Sequence, residues 1–185
     1  MEMTEASLQA VAQAVAHLAD PEIPVISLSE LGILREIRVG ADGTPEVVIT
    51  PTYSGCPAME QIEADIRAAL AAHPVRTRIT RQLAPAWSTD WIGPQAREKL
   101  RRYGIAPPQG AAATEQVIRF APNLAPKKGA ARADLTVPED QNHSITCPHC
   151  GSTHTTESSH FGSTACKSLW RCLDCREPFD YFKPY

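Results

Sequence analysis

The chain has 185 residues, which is enough for one compact domain and a small appended module. Its hydrophobic fraction of 43% can build a core, and its net charge of −3 excludes a broad basic surface for nucleic acid or anionic membranes. The first twenty residues contain three acidic side chains and no lysine or arginine. No apolar run approaches the ~20 residues of a membrane span. We therefore expect a cytoplasmic protein without a nucleic-acid or membrane partner.

The first third of the chain alternates helical and extended patterns. Apolar residues at helical spacing predict a helix over residues 4–19, and the prolines that follow would end it. Residues 33–39 and 46–50 have the pattern of two strands. The Asp42-Gly43 pair between them supplies the backbone freedom of a hairpin loop, so the two strands are expected to pair.

Three further elements complete the first domain. A second helix is predicted to begin at Pro57, a half-buried strand to cover residues 75–83, and a third helix to run between Pro94 and Gly104. The order helix, strand, strand, helix, strand, helix predicts a small α/β (α+β) domain with a mixed sheet over residues 1–106. Residues 107–144, rich in alanine, proline and glycine, are predicted to be a flexible linker, and residues 145–185 a separate module.

That last module contains two Cys-x-x-Cys pairs, Cys147 with Cys150 and Cys172 with Cys175. Each pair can form a tight turn whose sulfurs point inward, and two such turns complete a tetrahedron around Zn²⁺. In a reducing compartment this spacing indicates metal ligation rather than disulfides. We predict a zinc ribbon whose metal is structural, because four thiolates leave no open position for catalysis.

A fifth cysteine, Cys166, lies between the two pairs. It could be a reserve ligand, a redox thiol or a small buried side chain, and free cysteines are commonly buried. The sequence leaves these alternatives open. The module's histidines are expected to be ordinary surface residues, since four cysteines already satisfy the metal.

The remaining cysteine, Cys56, lies between the second predicted strand and the helix that begins at Pro57. As the capping residue it would meet free amides and the helix dipole, which lower the pKa of a thiol. Thr50 and Thr52 could donate hydroxyl hydrogen bonds to the same place. These observations leave a structural cap and a reactive or metal-binding thiol equally open. For Asp20 and Glu22, in the proline-rich turn, the favoured interpretation is solvation of a mobile loop.

Several segments of the first domain resemble SufT-like iron–sulfur assembly factors. They are DPEIP (20–24), SELGIL (29–34), ITPTYSGCPAM (49–59) and LAPAW (83–87). The tail, with CPHCGS, FGSTACK and CLDCREPFDYFK, is more specific. Together the two parts closely resemble the D-subunit family of bacterial phenylacetyl-CoA epoxidases, over about residues 5–106 and 145–184.

This resemblance implies an accessory protein of aerobic phenylacetate breakdown that assists assembly or maintenance of iron or iron–sulfur centres. Its implied partners are the oxygenase or reductase of the epoxidase complex, or iron–sulfur assembly machinery. Cys56 matches the signature cysteine of the assembly factors, and Asp20 and Glu22 match their acidic turn, so iron or a cluster in transit is the implied cargo. The chain has neither the helices of a di-iron bundle nor a dinucleotide fingerprint, and no catalytic residue is assigned.

Two other functions are kept as alternatives. A purely structural docking subunit is suggested by the aromatic tail, since aromatic residues dominate interface anchors. The tail residues are Phe179, Tyr181, Phe182 and Tyr185. A nucleic-acid-binding ribbon is weaker, because residues 145–185 carry four basic and four acidic side chains and phosphate recognition needs concentrated positive charge.

Overall fold

The structure is a computed structural model that describes residues 5–74, 76–109 and 144–185. Helix α1 (Glu5–Val15) precedes an antiparallel hairpin of β1 (Leu34–Val39) and β2 (Pro45–Ile49). Helix α2 (Ala58–Leu70) then leads to β3 (Arg78–Arg81), which pairs in parallel with β2. The sheet order is therefore β1-β2-β3, and every residue of the central strand β2 is buried. The predicted order of elements is confirmed.

The core of this domain forms where α1 and α2 pack together beside the sheet. The spacing of apolar residues explains which helix faces are buried, because residues three or four apart share a face. Fully buried members include Val11 and Val15 of α1, Ile62 and Ile66 of α2, and Ile49 of β2. The hairpin turns at Gly43, whose φ of 78° lies in the left-handed region that favours glycine.

A second sheet joins the end of the first domain to the cysteine-rich module. Helix α3 (Pro94–Tyr103) ends at Gly104, with a φ of 93°, and continues into the short strand β4 (Ile105–Ala106). β5 (Thr155–Ser159), β6 (Lys167–Cys172) and β7 (Pro178–Phe182) form an antiparallel meander, and β4 pairs in parallel with β7. The resulting order is β4-β7-β6-β5.

Aromatic packing reinforces the connection between the two parts. Trp87 is 4% exposed, its ring centroid lies 5.8 Å from that of Phe182, and its indole N–H donates to the carbonyl of Leu31 at 3.0 Å. Phe182 belongs to the same buried cluster as the core of the first domain. The amide of Thr89 also donates to the carbonyl of Tyr185 at 3.1 Å. The ribbon therefore packs directly against the first domain.

Two predicted elements are shorter in the structure. The first helix ends at Val15 rather than at residue 19, because the following chain pairs with a later segment: Leu28 donates to the carbonyl of Leu18 at 2.8 Å. The third strand covers only Arg78–Arg81, the stretch in register with β2. Most of the predicted linker, residues 110–143, lies outside the described residues. Among the described residues, no helix is both long and apolar enough to cross a membrane.

Candidate metal and thiol sites

The four paired cysteines converge on one point of the ribbon. Their sulfurs all lie within 4.8 Å of one another. Cys147 and Cys175 Sγ are 3.8 Å apart, and Cys150 and Cys172 Sγ are 3.6 Å apart. A zinc tetrahedron with bonds of about 2.3 Å has edges of about 3.8 Å, so these separations fit a closed Zn²⁺ site.

The backbone of each pair is built for this convergence. In the first turn, Cys147 donates to Ser152 O at 2.8 Å, and Gly151 donates back to Cys147 O at 2.9 Å. In the second, Cys172 donates to Glu177 O at 3.0 Å. The residue after each pair, Gly151 or Arg176, has a positive φ of 78° or 69°. Both turns therefore fold back in the same way and direct two sulfurs each toward the centre.

Backbone amides act to lower the pKa values of Cys147, Cys172 and Cys175, but burial and neighbouring thiols leave the pKa of Cys147 raised and that of Cys175 raised to about 12. The N–H of Cys175 is the strongest influence on Cys172 and lowers the pKa of that thiol to about 6. Amide donors of this kind orient metal-binding sulfurs and offset their negative charge. Lys167, a basic residue of the same module, has its ammonium group 3.6 Å from Asp180 Oδ2. His154 is exposed and its Nδ1 lies 3.0 Å from Asp174 Oδ1, which agrees with the prediction that the module's histidines are surface residues rather than metal ligands.

Cys56 lies in a separate place, in the loop between β2 and α2. The loop leaves the carboxyl end of a strand that pairs in parallel with β3, which is where α/β sheets commonly bind ligands. Helix α2 begins at Ala58, one residue later than predicted, and the helical backbone of Pro57 flanks it. The Cys56 side chain is half-buried and packs against the main core.

The predicted lowering of the Cys56 pKa is wrong. Burial is the largest influence and raises the pKa of this thiol. The N–H groups of Ala58 and Met59 and the side chain of Thr52 act in the opposite direction, and the negative charge of Asp20 raises the pKa further. The helix start is present as expected, but desolvation of the sulfur raises the pKa by more than the helix amides lower it.

Two threonine hydroxyls in the segment that leads from β2 to Cys56 are buried without a partner among the described residues. Thr50 is 1% exposed and Thr52 is 6% exposed, and neither Oγ1 atom makes a hydrogen bond to any described residue. The Thr52 hydroxyl is near enough to Cys56 to favour its thiolate, although the contact lies outside ordinary hydrogen-bond geometry. An unsatisfied buried polar group costs about 1–3 kcal/mol. Such groups in a native fold call for an explanation such as an ion or a water.

Asp20 is not part of a mobile solvated loop, as had been favoured from the sequence. It is 4% exposed, and its Oδ1 accepts from the amides of Glu22 and Ile23, each at 2.9 Å. Burial raises the pKa of its carboxyl group, against the effect of these two amides. Glu22 is exposed, and its negative charge also raises the pKa of Asp20. Asp20 is therefore a buried acid within electrostatic reach of Cys56, and Glu22 lies nearer the solvent.

Cys166 belongs to the ribbon by sequence, but its side chain packs against the main core of the first domain. It is half-buried, and burial raises the pKa of its thiol. Charge on Cys56 raises that pKa too, so the two thiols lie within electrostatic reach of each other. Sequence reasoning missed this proximity, and only the FGSTACK motif hinted that the segment had a role.

The aromatic tail faces inward. Phe179, Tyr181 and Phe182 are at most 7% exposed, and Tyr185 is half-buried with its ring centroid 6.4 Å from that of Trp87. These side chains form the ribbon's own core and its contact with the first domain. They are therefore not free to anchor a partner, which removes the observation that favoured a docking subunit.

The fold and its two cysteine sites define a class of two-part protein, in which an α/β domain with a half-buried loop thiol carries a four-cysteine β ribbon. Comparisons with known proteins agree. Residues 8–80 match the family described as iron-sulfur cluster assembly protein, and residues 131–183 match the PaaD zinc beta ribbon domain. A protein from Escherichia coli, named as the putative D subunit of 1,2-phenylacetyl-CoA epoxidase, is 44% identical over 172 residues, covering 91% of this chain and 88% of the relative. The chain belongs to this D-subunit family, as its motifs predicted.

Two other similarities concern the first domain. A Porphyromonas gingivalis protein named Fe-S protein maturation auxiliary factor is 35% identical over 85 residues, covering 44% of this chain and 78% of the relative. A crystal structure of a domain of unknown function, DUF59, from Bacillus anthracis has a TM-score of 0.46 at 22% identity, covering 52% of this chain and 92% of that chain. The maturation factor supports a relation between this domain and iron–sulfur assembly.

Proposed function

We propose that this protein is an accessory factor of a phenylacetyl-CoA epoxidase complex and assists assembly or maintenance of its iron or iron–sulfur centres. The observation that carries the proposal is the half-buried thiol of Cys56, which lies next to the unpartnered hydroxyl of Thr52 and within electrostatic reach of the buried carboxyl group of Asp20. Thiolates suit iron and iron–sulfur clusters. Family membership supports the choice of partner complex.

Each candidate residue has a defined part in this proposal. Cys56 binds the iron or cluster cargo through its sulfur, and its proton leaves to solvent when the bond forms. Thr52 and Thr50 supply hydroxyls that can stabilise the bound sulfur, since a thiolate accepts hydrogen bonds. Asp20 holds the acidic turn in place through its two amide contacts, and Glu22 lies at the exposed side of the same turn.

The ribbon metal has a different role. Cys147, Cys150, Cys172 and Cys175 would hold Zn²⁺, and the sulfur separations fit that ion. With four protein ligands the ion supplies folding energy rather than reaction chemistry. It ties the start of β5 to the β6–β7 hairpin, which carries Phe182 into the main core.

The proposal is tested on the epoxidase complex purified from cells that produce wild-type protein, Cys56→Ala or Ser54→Ala. Ser54 is an exposed residue of the same loop and serves as the matched control. We expect several-fold less iron per complex and correspondingly less epoxidase activity with Cys56→Ala, and wild-type values with Ser54→Ala.

Full iron content and activity with Cys56→Ala would overturn the proposal. If the complex then also fell apart on deletion of the whole protein, a purely structural docking subunit would replace it. The nucleic-acid alternative predicts salt-sensitive DNA binding by the full chain, which the balanced charge of the ribbon does not favour.

A further inference from the structure

The loop between β5 and β6 presents a phenylalanine to solvent. Phe161 is 63% exposed, the largest exposed fraction among the large hydrophobic residues that the structure describes. It is the first residue of the FGSTACK motif, to which neither the metal site nor the Cys56 site assigns a role. Single exposed apolar side chains are common on protein surfaces, so exposure alone indicates nothing. What distinguishes Phe161 is the way in which its ring is held.

Two neighbouring side chains contact the Phe161 ring. The ammonium group of Lys183 lies 4.6 Å from the ring centroid, within cation–π distance. The imidazole of His160 meets the ring edge to face, with centroids 5.0 Å apart and planes at 80°. His160 is itself fixed, because its Nδ1 lies 3.1 Å from Glu157 Oε1 and its carbonyl accepts from Lys183 Nζ at 3.2 Å. The ring is therefore oriented by its neighbours while most of it stays in contact with water.

The backbone of this loop is fixed as well. Ser159 Oγ donates to the carbonyl of Phe161 at 2.8 Å. The amide of Gly162 donates to the carbonyl of Lys167, also at 2.8 Å. A Cβ atom at Gly162 would lie 3.1 Å from Asp180 Oδ1 and 3.3 Å from Lys167 Cβ, so the loop packs closely against β6 and β7. Little conformational entropy is then lost when Phe161 enters a partner's surface, which is the advantage of a preorganised contact.

The charge beside the ring lacks a complement. Lys183 donates to a carbonyl oxygen, and among the described residues no carboxylate forms an ion pair with it. Glu157, the acidic residue of the same hairpin, pairs with His160 instead. Burial lowers the pKa of the Lys183 ammonium group, because a charge is disfavoured where water is excluded. A carboxylate supplied by a partner would offset this desolvation.

We propose that Phe161 anchors this protein to the epoxidase complex by entering an apolar pocket that carries a carboxylate for Lys183 at its rim. This inference rests on the proposed function and adds the contact through which the complex is recognised. Aromatic residues are enriched at protein interfaces, and complementary charges at the rim raise the association rate. The tail aromatics Phe179, Tyr181 and Phe182 are buried, so this anchor is a different residue from those that the sequence suggested.

Binding of the zinc-loaded full chain to the epoxidase complex tests the anchor. The complex is purified from cells that lack this protein, and interferometry measures the dissociation constant and the association rate at low and high sodium chloride concentrations. The variants are Phe161→Ala, Phe161→Leu and Lys183→Met. Leu83→Ala is the matched control, because Leu83 is 61% exposed. Zinc content and far-UV circular dichroism establish that each variant is folded.

We expect Phe161→Ala to raise the dissociation constant by at least about 25-fold, the loss that defines an interface hot spot. Phe161→Leu keeps part of the apolar surface and should fall between Phe161→Ala and wild type. Lys183→Met keeps the apolar stem of the side chain without its charge. It should lower the association rate and weaken the dependence of that rate on salt. Leu83→Ala should match wild type.

The outcomes separate this inference from the proposed function. Wild-type affinity of Phe161→Ala, or equal losses with Phe161→Ala and Leu83→Ala, would overturn the anchor. An unchanged salt dependence in Lys183→Met would contradict the carboxylate at the rim. Cys56→Ala should bind the complex as wild type does and still leave it short of iron, so a failed anchor leaves the role of Cys56 intact. If wild-type protein does not bind the complex, the anchor and the choice of partner complex both fail.

Discussion

The two cysteine sites of this protein differ in how they are built. The ribbon site takes its four ligands from two short turns, and local backbone geometry directs each pair inward. The surroundings of Cys56 instead combine segments that are distant in sequence: the thiol lies in the loop after β2, and the acidic turn with Asp20 acts on it electrostatically. A site made of local turns is visible in sequence spacing, whereas a site made by packing is not.

Metal removal should have the largest effect and separates the sites most clearly. Structural Zn²⁺ in small modules contributes an apparent binding free energy of about 10–16 kcal/mol, so a strong chelator should unfold the ribbon. In metal-loaded protein under anaerobic conditions, only Cys56 and Cys166 should react with a thiol reagent, and slowly, because both are partly buried. After chelation all six thiols should react.

Cys175→Ser is the matched variant for that experiment, because it removes one ligand without a chelator. It should bind the ribbon metal weakly, and all five of its remaining thiols should react even without a chelator. Equal reactivity of all six thiols in metal-loaded wild type would contradict the distinction between four metal-bound thiols and two partly buried free ones.

The second largest effect is expected for Trp87→Ala, which tests whether the ribbon can keep its metal when its packing against the first domain is weakened. Trp87→Ala removes the ring that meets Phe182 and the hydrogen bond to Leu31, and deletion of a buried tryptophan side chain costs about 3–5 kcal/mol. The change should appear as a lower urea midpoint with the ribbon metal retained. Tyr103→Ala, at a residue 49% exposed, should stay within about 0.5 kcal/mol of wild type. Loss of ribbon metal from folded Trp87→Ala would show that the two regions are not independent.

The parts of the fold that the sequence predicted well depend on near neighbours along the chain. Helix α3 is bounded by Pro94 and Gly104, residues whose backbone preferences act locally. The hairpin between β1 and β2 turns at Gly43 for the same reason. The D-subunit family was recognisable because its motifs are continuous in sequence.

The errors occurred where distant contacts compete with local preference. The first helix could continue past Val15 by its apolar spacing, but pairing with the segment around Leu28 ends it. The pKa of Cys56 follows from burial by the surrounding core rather than from the helix start beside it. Asp20 has the sequence context of a surface turn and is nevertheless buried. None of these contacts has a signature in spacing or composition.

The smallest predicted effect concerns the unpartnered Thr50 hydroxyl, whose removal should increase rather than decrease the free energy of unfolding. Thr50→Val removes a buried hydroxyl that has no partner among the described residues and keeps the shape of the side chain. The variant should be more stable by about 1–3 kcal/mol, because the desolvation penalty of the hydroxyl disappears. Thr89→Val is the matched control: Thr89 is equally buried, but its hydroxyl donates to Tyr185 O at 3.3 Å. Losing that bond should destabilise the protein by about 0.5–1.5 kcal/mol.

Urea unfolding of the zinc-loaded proteins measures both changes, and anaerobic iron binding is measured on the same samples. Thr50→Val should combine higher stability with weaker iron retention, the trade-off expected where a fold keeps an unsatisfied group for binding. Thr89→Val should show lower stability with iron retention unchanged. Destabilisation of both variants by similar amounts would mean that the Thr50 hydroxyl has a partner in solution. Thr50 would then be an ordinary satisfied residue of the core rather than part of a ligand site.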